Sequence, residues 1–279
     1  MKLIADSGST TTEWCIIDGD KIHAAHTPGM NPFIINLKDI EKGIREQPLL
    51  GHYRGYIREL SFYGAGCGGE QNCQSVESTL QKLFAKAQIS VYSDLLGAAR
   101  SLFNKGKGMA CILGTGSNSG FYDGKQIIRK SPALGYLLGD EGSGNHLGKK
   151  LLRSYLNNAL PDDVKDQFER YYGNRPRQIL HELYHSEKPN IYLSGFAKFM
   201  VANRDHEYIK KLVYEAMEAF ILTLKNGYPA SDFQYPVRCA GSIAWFFKDE
   251  LFNQASKAQI AIEKVVQTPM KGLIDFHSG

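Results

Sequence analysis

The stretch IADSGSTTTEWCIIDGD, residues 4–20, carries the pattern that decides the fold. An apolar run leads into six small residues, a second apolar run follows, and Asp18-Gly19 supplies a tight turn toward a third run. Short apolar runs separated by turn residues are typical of consecutive β-strands. We therefore expect strands at Lys2–Ala5, Trp14–Ile17 and around Lys21–Ala25.

The same pattern recurs in MACILGTGSNSGFYDGKQI, residues 109–127. The two copies lie about one hundred residues apart, which is far longer than a solenoid period and fits a duplicated domain. A chance recurrence of strand–turn–strand is the alternative. The polar stretch Asn104–Gly108 precedes the second copy. We expect an α/β protein of two lobes, residues 1–104 and 105–279, with a cleft between them and most helices in the second lobe.

Composition bounds the class of protein. The 279 residues are 43% hydrophobic and 22% charged, which is ordinary for a globular chain. The net charge of +4, without a dense basic stripe, gives no indication of a nucleic-acid partner. The five cysteines are odd in number and lie mostly in apolar runs, which favours buried thiols in a reducing compartment. With no apolar run of membrane length and no signal peptide, we expect a cytoplasmic protein without a membrane partner.

Both Gly/Ser/Thr turns could hold a phosphate. In SGSTTT, Gly8 allows close approach and its neighbours offer hydroxyls and backbone amides, the groups that form anion-binding concavities. Asp6 would then suit a hydrated Mg²⁺ accompanying the phosphate. An ordinary hairpin loop with Asp6 as its cap is the alternative. The second copy, LGTGSNSG, favours the phosphate interpretation, although neither turn has Walker or dinucleotide-binding spacing.

Three further positions each admit a structural and a functional interpretation. Asp94 follows a strand and opens a helix, so it is either a helix N-cap or a general base for a substrate hydroxyl. In GDEGSGNHLG, Asp140 could bind sugar hydroxyls, or the segment is a turn in which Ser143 caps the next helix. Gly241-Ser242 could approach a ligand or form a plain turn with a Ser cap. The scattered histidines do not suggest a transition-metal site.

Taken in order, DSGSTTTEW, SDLLGAA, LGTGSNS, GDEGSG and AGSIA resemble the N-acetylglucosamine kinase family. This family is also described as the BadF/BadG/BcrA/BcrD-type ATPases, within the sugar kinase–heat-shock ATPase–actin superfamily. The resemblance extends from the first strand to the terminal PMKGLIDFH. It implies two ribonuclease-H-like domains with a hinge, an ATP and sugar cleft between them, and a last helix that packs back on the N-terminal lobe.

The resemblance also implies a role for each matching residue. Asp94 would be the catalytic base that accepts the proton of the attacking sugar hydroxyl. The cofactors would be ATP and Mg²⁺, the partner a small amino sugar, and a homodimer is a possible assembly. The remaining roles would be phosphate binding by Gly8, Ser9, Thr10, Gly114, Thr115, Gly116 and Ser117, adenosine binding by Gly241 and Ser242, sugar binding by Asn31, Asn118 and Asp140, and Mg²⁺ binding by Asp6.

The sequence leaves several amino sugars as candidates for the substrate. Phe33 follows Asn31-Pro32 and Tyr136 stands in GYLLGDEGS, near positions where eukaryotic members place aromatic residues. N-acetylglucosamine is the first expectation, with glucosamine or N-acetylmuramic acid as alternatives. An ATPase that activates a partner reductase would need a cluster-binding cysteine pair, which the spacing of Cys67 and Cys73 does not supply. A sugar-binding regulator without turnover would not need Asp94 and both turns intact.

Overall fold

The computed structural model describes residues 1–278 and builds them around two five-stranded sheets. The first sheet has the strand order β3-β2-β1-β4-β5. β1 pairs antiparallel with β2 and parallel with β4, and β4 pairs parallel with β5. Its strands are β1 Lys2–Ser7, β2 Thr11–Asp18, β3 Lys21–Pro28, β4 Glu59–Gly64 and β5 Gln88–Ser93.

The second sheet repeats the topology of the first. Its strands are β6 Gly108–Leu113, β7 Ser117–Tyr122, β8 Ile127–Lys130, β9 Val237–Ala240 and β10 Ile262–Val266, in the order β10-β9-β6-β7-β8. In both sheets the first strand of the set is central, its hairpin partners lie on one side, and the two later strands lie on the other. A chance recurrence does not produce this full correspondence, so the expected α/β architecture with two similar sheets is confirmed.

Helices account for most of the remaining chain. Those that follow strands of the first sheet are α1 Leu37–Glu46, α2 Pro48–Tyr53, α3 Glu70–Leu83 and α4 Asp94–Phe103. The later helices are α5 Gly135–Leu138, α6 Gly144–Leu156, α7 Asp162–Tyr172, α8 Pro176–His185, α9 Pro189–Gly195, α10 Ala197–Ala202, α11 Glu207–Gly227, a 3-10 turn at Ala230–Gln234, α12 Ser242–Phe246, α13 Lys248–Lys257 and α14 Met270–Ser278.

The chain forms two compact units. One contains Met1–Ala110, Phe121–Ile128 and the C-terminal segment from Thr268, and the other contains Cys111–Gly120 and Arg129–Gln267. The lobe boundary between residues 104 and 105 stays a prediction.

Both faces of the first sheet are covered, which explains its nearly continuous apolar strands. On one face, Leu3, Trp14 and Phe62 belong to a buried cluster with residues of α1 and α3. On the other face, Ile4 and Tyr63 pack with residues of the C-terminal helix α14, which also contacts α4. At roughly 25 cal/mol per Å² of apolar surface, such burial is the main stabilising contribution to this unit.

One local feature differs from the expectation. The strand β10 was not predicted, because IEKVV is short and partly exposed and two of its five residues are charged, so it lacks a clear apolar pattern. The helices α9 and α10 are separated only by Phe196. All five cysteines are free thiols, and only Cys73 is not fully buried. Across residues 1–278, every helix is too short or too polar to span a bilayer.

Candidate functional site

Asp6 and Asp94 lie at one edge of the first sheet. The parallel strands β1, β4 and β5 are in register, so that Ser7 pairs with Gly64 and Gly64 with Ser93. Asp6 therefore occupies the end of β1, and Asp94 directly follows the end of β5. The carboxyl ends of parallel strands are where α/β proteins bind their ligands. The two carboxylates are thus placed where a substrate can be bound.

The helix cap beside Asp94 is made by its neighbour. The Ser93 hydroxyl accepts a hydrogen bond from the Leu96 amide at 3.3 Å, and Asp94 is the first helical residue of α4. The Asp94 carboxylate accepts a hydrogen bond from the adjacent Leu95 amide at 2.8 Å. The structural interpretation of Asp94 as the N-cap is therefore wrong, and capping does not account for an aspartate at this position.

The environment raises the pKa values of both carboxyl groups toward neutrality. Burial raises the pKa of Asp94 to about 6, against the opposing effect of its backbone hydrogen bonds. Burial also raises the pKa of Asp6 to about 7, with further repulsion from Asp94 and Glu13. A general base works best when its pKa lies near the operating pH, which Asp94 satisfies.

Asp6 has the properties of a Mg²⁺ ligand. Its carboxylate accepts no hydrogen bond from the described residues, and it lies in the field of two other carboxylates whose repulsion a divalent cation would relieve. Residues 1–278 contain no group of three or more His, Cys, Asp or Glu that could enclose a metal ion. Mg²⁺ is commonly held by one or two carboxylates together with waters and phosphate oxygens. Asp6 therefore fits an ion that arrives with a nucleotide.

A chain of hydroxyls fixes the base of the first turn. The Met30 amide donates to the Ser7 hydroxyl, which contacts the Thr12 hydroxyl at 2.8 Å, and Thr12 donates to the Pro28 carbonyl. Because the two ends of this chain are fixed, Ser7 must donate to Thr12. These two buried hydroxyls are structural, and the ligand-binding hydroxyls of SGSTTT must be sought among residues 9–11.

Gly29 and Asn31 hold the tip of that turn. The Gly29 amide donates to the Thr10 carbonyl at 2.9 Å, and a Cβ on Gly29 would lie 2.4 Å from the Ser9 carbonyl carbon. The Asn31 amide group donates to the Ser9 hydroxyl at 3.1 Å. Since the Ser9 oxygen accepts from Asn31, its own proton is directed elsewhere, and the Ser9 backbone amide makes no hydrogen bond with the described residues. Ser9 can therefore donate twice to a phosphate.

The second turn, in the other unit, is bound to the start of α6. The amides of Gly144 and Asn145 donate to the carbonyls of Gly114 and Thr115 at 2.8 and 3.0 Å. The first amides of α6 are thus used within the protein. Ser143 caps α6 by accepting from the His146 amide at 3.3 Å, which confirms the capping interpretation of this serine.

His146 fixes the preceding loop. Its Nδ1 accepts a hydrogen bond from the Gly142 amide at 3.0 Å. Burial, with repulsion from Lys150 and Lys149, lowers the pKa of His146 to about 4. The ring is therefore neutral at physiological pH, as an acceptor nitrogen requires.

Asp140 lies directly against the second turn. Its Oδ1 accepts from the Ser117 amide at 3.2 Å, and its Oδ2 accepts from the Asn145 side-chain amide at 2.8 Å. A Cβ on Gly116 would come within 2.9 Å of both carboxylate oxygens, so only glycine allows this approach. With the Gly114 amide bonded to the Gly116 carbonyl, the donors left for a ligand include the Gly116 amide and the Ser117 hydroxyl.

Asn145 is a buried polar residue that the sequence reasoning missed. Its side chain is 1% exposed, and its Oδ1 has no hydrogen-bond partner. An unpaired buried acceptor costs about 1–3 kcal/mol, whereas a hydrogen bond to a charged group contributes about 1.5–3 kcal/mol. The two effects roughly cancel, so the Asn145 side chain adds little to the stability of the fold. Its position directly after GDEGSG was the available signal.

Comparison with solved structures identifies the family. A protein of Porphyromonas gingivalis, provisionally described as an N-acetylglucosamine kinase, superposes with a TM-score of 0.92 and 35% identity over 99% of this chain and 98% of its own. The chain belongs to the N-acetylglucosamine kinase family. The expected resemblance is thereby confirmed, and with it the assignment to the sugar kinases.

Solved structures of lower sequence identity share the fold of this protein. A Chromobacterium violaceum protein, also provisionally described as an N-acetylglucosamine kinase, gives a TM-score of 0.69 at 16% identity over 99% of this chain and 98% of its own. A ROK family glucokinase from Streptomyces griseus, solved with glucose and AMPPNP, gives 0.55 at 14% over 99% and 98%. No protein-family profile and no curated protein sequence matches the chain.

The other predicted site residues of this family member fall in the second unit. Gly241 precedes α12 with φ +121, and a Cβ there would lie 2.2 Å from the Leu113 carbonyl oxygen. Gly241 is therefore next to the second turn. Ser242 is the first residue of α12 and makes no side-chain cap, so the Ser-cap alternative is wrong. Asn118 Oδ1 accepts from the Ser119 amide at 2.9 Å.

The structure thus collects the predicted residues into two sets. Asp6, Gly8, Ser9, Thr10, Asn31 and Asp94 lie in the first unit, whereas Gly114, Thr115, Gly116, Ser117, Asn118, Asp140, Gly241 and Ser242 lie in the second.

Proposed function

We propose that this protein phosphorylates an amino sugar with ATP, and that the sugar is N-acetylglucosamine. The observation that carries the proposal is Asp94, a carboxylate that does not cap its helix, with a pKa of about 6, at the same edge of the sheet as Asp6. The 35% identity to a protein provisionally described as an N-acetylglucosamine kinase supports the choice of sugar.

Asp94 accepts the proton of the sugar hydroxyl. As this proton moves to the carboxylate, the hydroxyl oxygen forms a bond to the γ-phosphorus, and the bond from the γ-phosphorus to the bridging oxygen breaks to release ADP. Phosphoryl transfer depends mainly on alignment and electrostatic stabilisation. A Mg²⁺ held at Asp6 would neutralise charge on the phosphate oxygens. A positioned base contributes about 10²–10⁴-fold in rate.

The remaining residues bind and orient the ATP and the sugar. Gly8, Ser9 and Thr10 bind phosphate in the first unit, as Gly114, Thr115, Gly116 and Ser117 do in the second. Asn31, Asn118 and Asp140 bind sugar hydroxyls, and Gly241 and Ser242 bind the adenosine. Support comes from the Ser9 donors and from Gly241, which approaches the backbone of the second turn.

The test is ADP release from MgATP, screened against N-acetylglucosamine, glucosamine, N-acetylmannosamine, N-acetylmuramic acid and glucose. Asp94→Asn is assayed beside the wild type, and ³¹P NMR of the product identifies the phosphorylated hydroxyl. We expect turnover that requires N-acetylglucosamine and is lost in Asp94→Asn. Hydrolysis independent of sugar, or no hydrolysis, would refute the kinase and favour an ATPase that acts on a protein partner.

A further inference from the structure

Asn145 makes one contact with the second turn and a separate one with Asp140. Its backbone amide donates to the Thr115 carbonyl at 3.0 Å, and its side-chain amide donates to Asp140 Oδ2 at 2.8 Å. The backbone contact is available to any residue except proline. The side chain is needed only for the contact with Asp140. A change of side chain therefore removes one of the two donors to the Asp140 carboxylate and leaves the Ser117 amide as the other.

The fold does not explain why this side chain is an asparagine. Its Oδ1 is buried without a partner, and an unpaired buried acceptor offsets much of what the bond to Asp140 contributes. An apolar residue would avoid that cost but would leave Oδ2 of Asp140 without a protein donor. Asparagine tolerates the cost and keeps the donor in place.

Asp140 needs two donors to hold its orientation. Its backbone has φ +60, a conformation uncommon for a residue with a side chain, and the Ser117 amide fixes only Oδ1. With one donor on each oxygen, both oxygens keep a lone pair. A carboxylate fixed in this way can accept from two neighbouring hydroxyls of a sugar ring.

We infer that Asn145 is a positioning residue for sugar binding, which orients the Asp140 carboxylate toward two hydroxyls of the substrate. This inference rests on the proposed function, because Asp140 is a sugar ligand only in that proposal. It predicts that replacing the Asn145 side chain weakens the binding of the sugar. The affinity for the nucleotide should not change, because the second turn is held by the backbone of Asn145.

The test compares Asn145→Ala and Asn145→Asp with a control, Asn157→Ala. Asn157 ends the same helix and its side-chain amide donates to the Arg153 carbonyl at 2.9 Å, so the control loses one hydrogen bond of α6 without affecting Asp140. KM is measured for N-acetylglucosamine and for MgATP, sugar binding is measured directly by calorimetry, and the Tm of each variant is recorded.

For Asn145→Ala we expect the KM and Kd for the sugar to rise about 10- to 100-fold, with KM for ATP within about threefold of the wild type. The control keeps both values. Asn145→Asp has nearly the same shape and places a second carboxylate against Asp140. The two carboxylates would share a proton at low pH, so its sugar affinity should improve from pH 8 to pH 6.

Two results would overturn the inference alone: an active wild type with unchanged sugar affinity in both Asn145 variants, or equal increases in the two KM values. A loss of fold in Asn145→Ala leaves Asn145→Asp and its pH dependence to decide. A wild type that neither binds nor phosphorylates an amino sugar would refute the proposed function, and the inference with it.

Discussion

The Asp94 carboxylate raises the pKa of Asp6 from the far side of β4, within a single sheet. The repulsion between the two carboxylates is mutual, and the group that ionises second is the one whose pKa it raises. Asp94, with a pKa of about 6, loses its proton while Asp6 is still neutral, and Asp6 then ionises against an existing negative charge with a pKa of about 7. The base is thus ionised before the metal ligand.

Replacing Asp94 with asparagine should remove the base and keep the geometry. We expect kcat to fall about 10²–10⁴-fold while the dissociation constants for ATP and sugar change little. Steady-state kinetics with calorimetric binding checks this. Ser93→Ala is the matched control, since it removes the helix cap, costs about 1 kcal/mol of stability and leaves the carboxylate in place. A kcat loss in Ser93→Ala as large as in Asp94→Asn would contradict the role of Asp94.

The pH dependence of kcat/KM reports the base in the free enzyme. Because Asp94 must be ionised to accept a proton, activity should be lost as the pH falls through its pKa of about 6. The measurement is kcat/KM for the sugar from pH 5 to 8.5 at saturating Mg²⁺, which keeps Asp6 ionised. A flat profile across this range would exclude a base with that pKa.

Asp6→Asn should lower the activity and raise the thermal stability of the protein. The folded-state pKa of Asp6, about 7, lies above the ordinary aspartate pKa of 3.8, so the folded protein binds more protons between these values and loses stability as the pH rises. An asparagine removes this penalty. We expect its Tm to exceed that of the wild type by about a few degrees at pH 8, and by less at pH 5.

The Asp6→Asn measurement is thermal unfolding at both pH values without nucleotide. The variant should also lose turnover, which higher Mg²⁺ would not restore. A Tm difference that is the same at both pH values would show that the Asp6 charge does not destabilise the fold.

Gly29→Ala should displace the first turn through a steric clash. The new methyl group would lie 2.4 Å from the Ser9 carbonyl carbon and oxygen, so the turn must move. We expect KM for ATP to rise at least about tenfold, because backbone displacement misaligns the Ser9 donors. Gly51→Ala is the control, since a Cβ at this position in α2 meets nothing within 4 Å. A variant with the wild-type KM for ATP would show that the tip of this turn does not bind phosphate.

The periodicity of the strands and the order of the motifs were sufficient to predict the α/β class, the repeated layout and the family. Local patterns at Lys2–Ser7 and Gly108–Leu113 are strong because each strand contains a buried apolar run. The strand β10 was missed since half-exposed charged strands have no such pattern.

The sequence by itself determined which residues could carry chemistry, because short-range order fixes strand ends, turns and helix starts. The folded structure decided several structural alternatives that the sequence left open. Ser93 caps α4 instead of Asp94, and Ser7 and Thr12 face inward. The start of α6 is bound to a turn formed about thirty residues earlier in the chain, a contact beyond the reach of local patterns. Burial and the placement of charges across a sheet depend on contacts between segments distant in sequence, so the neutral-range pKa values of Asp6 and Asp94 exist only in the folded chain.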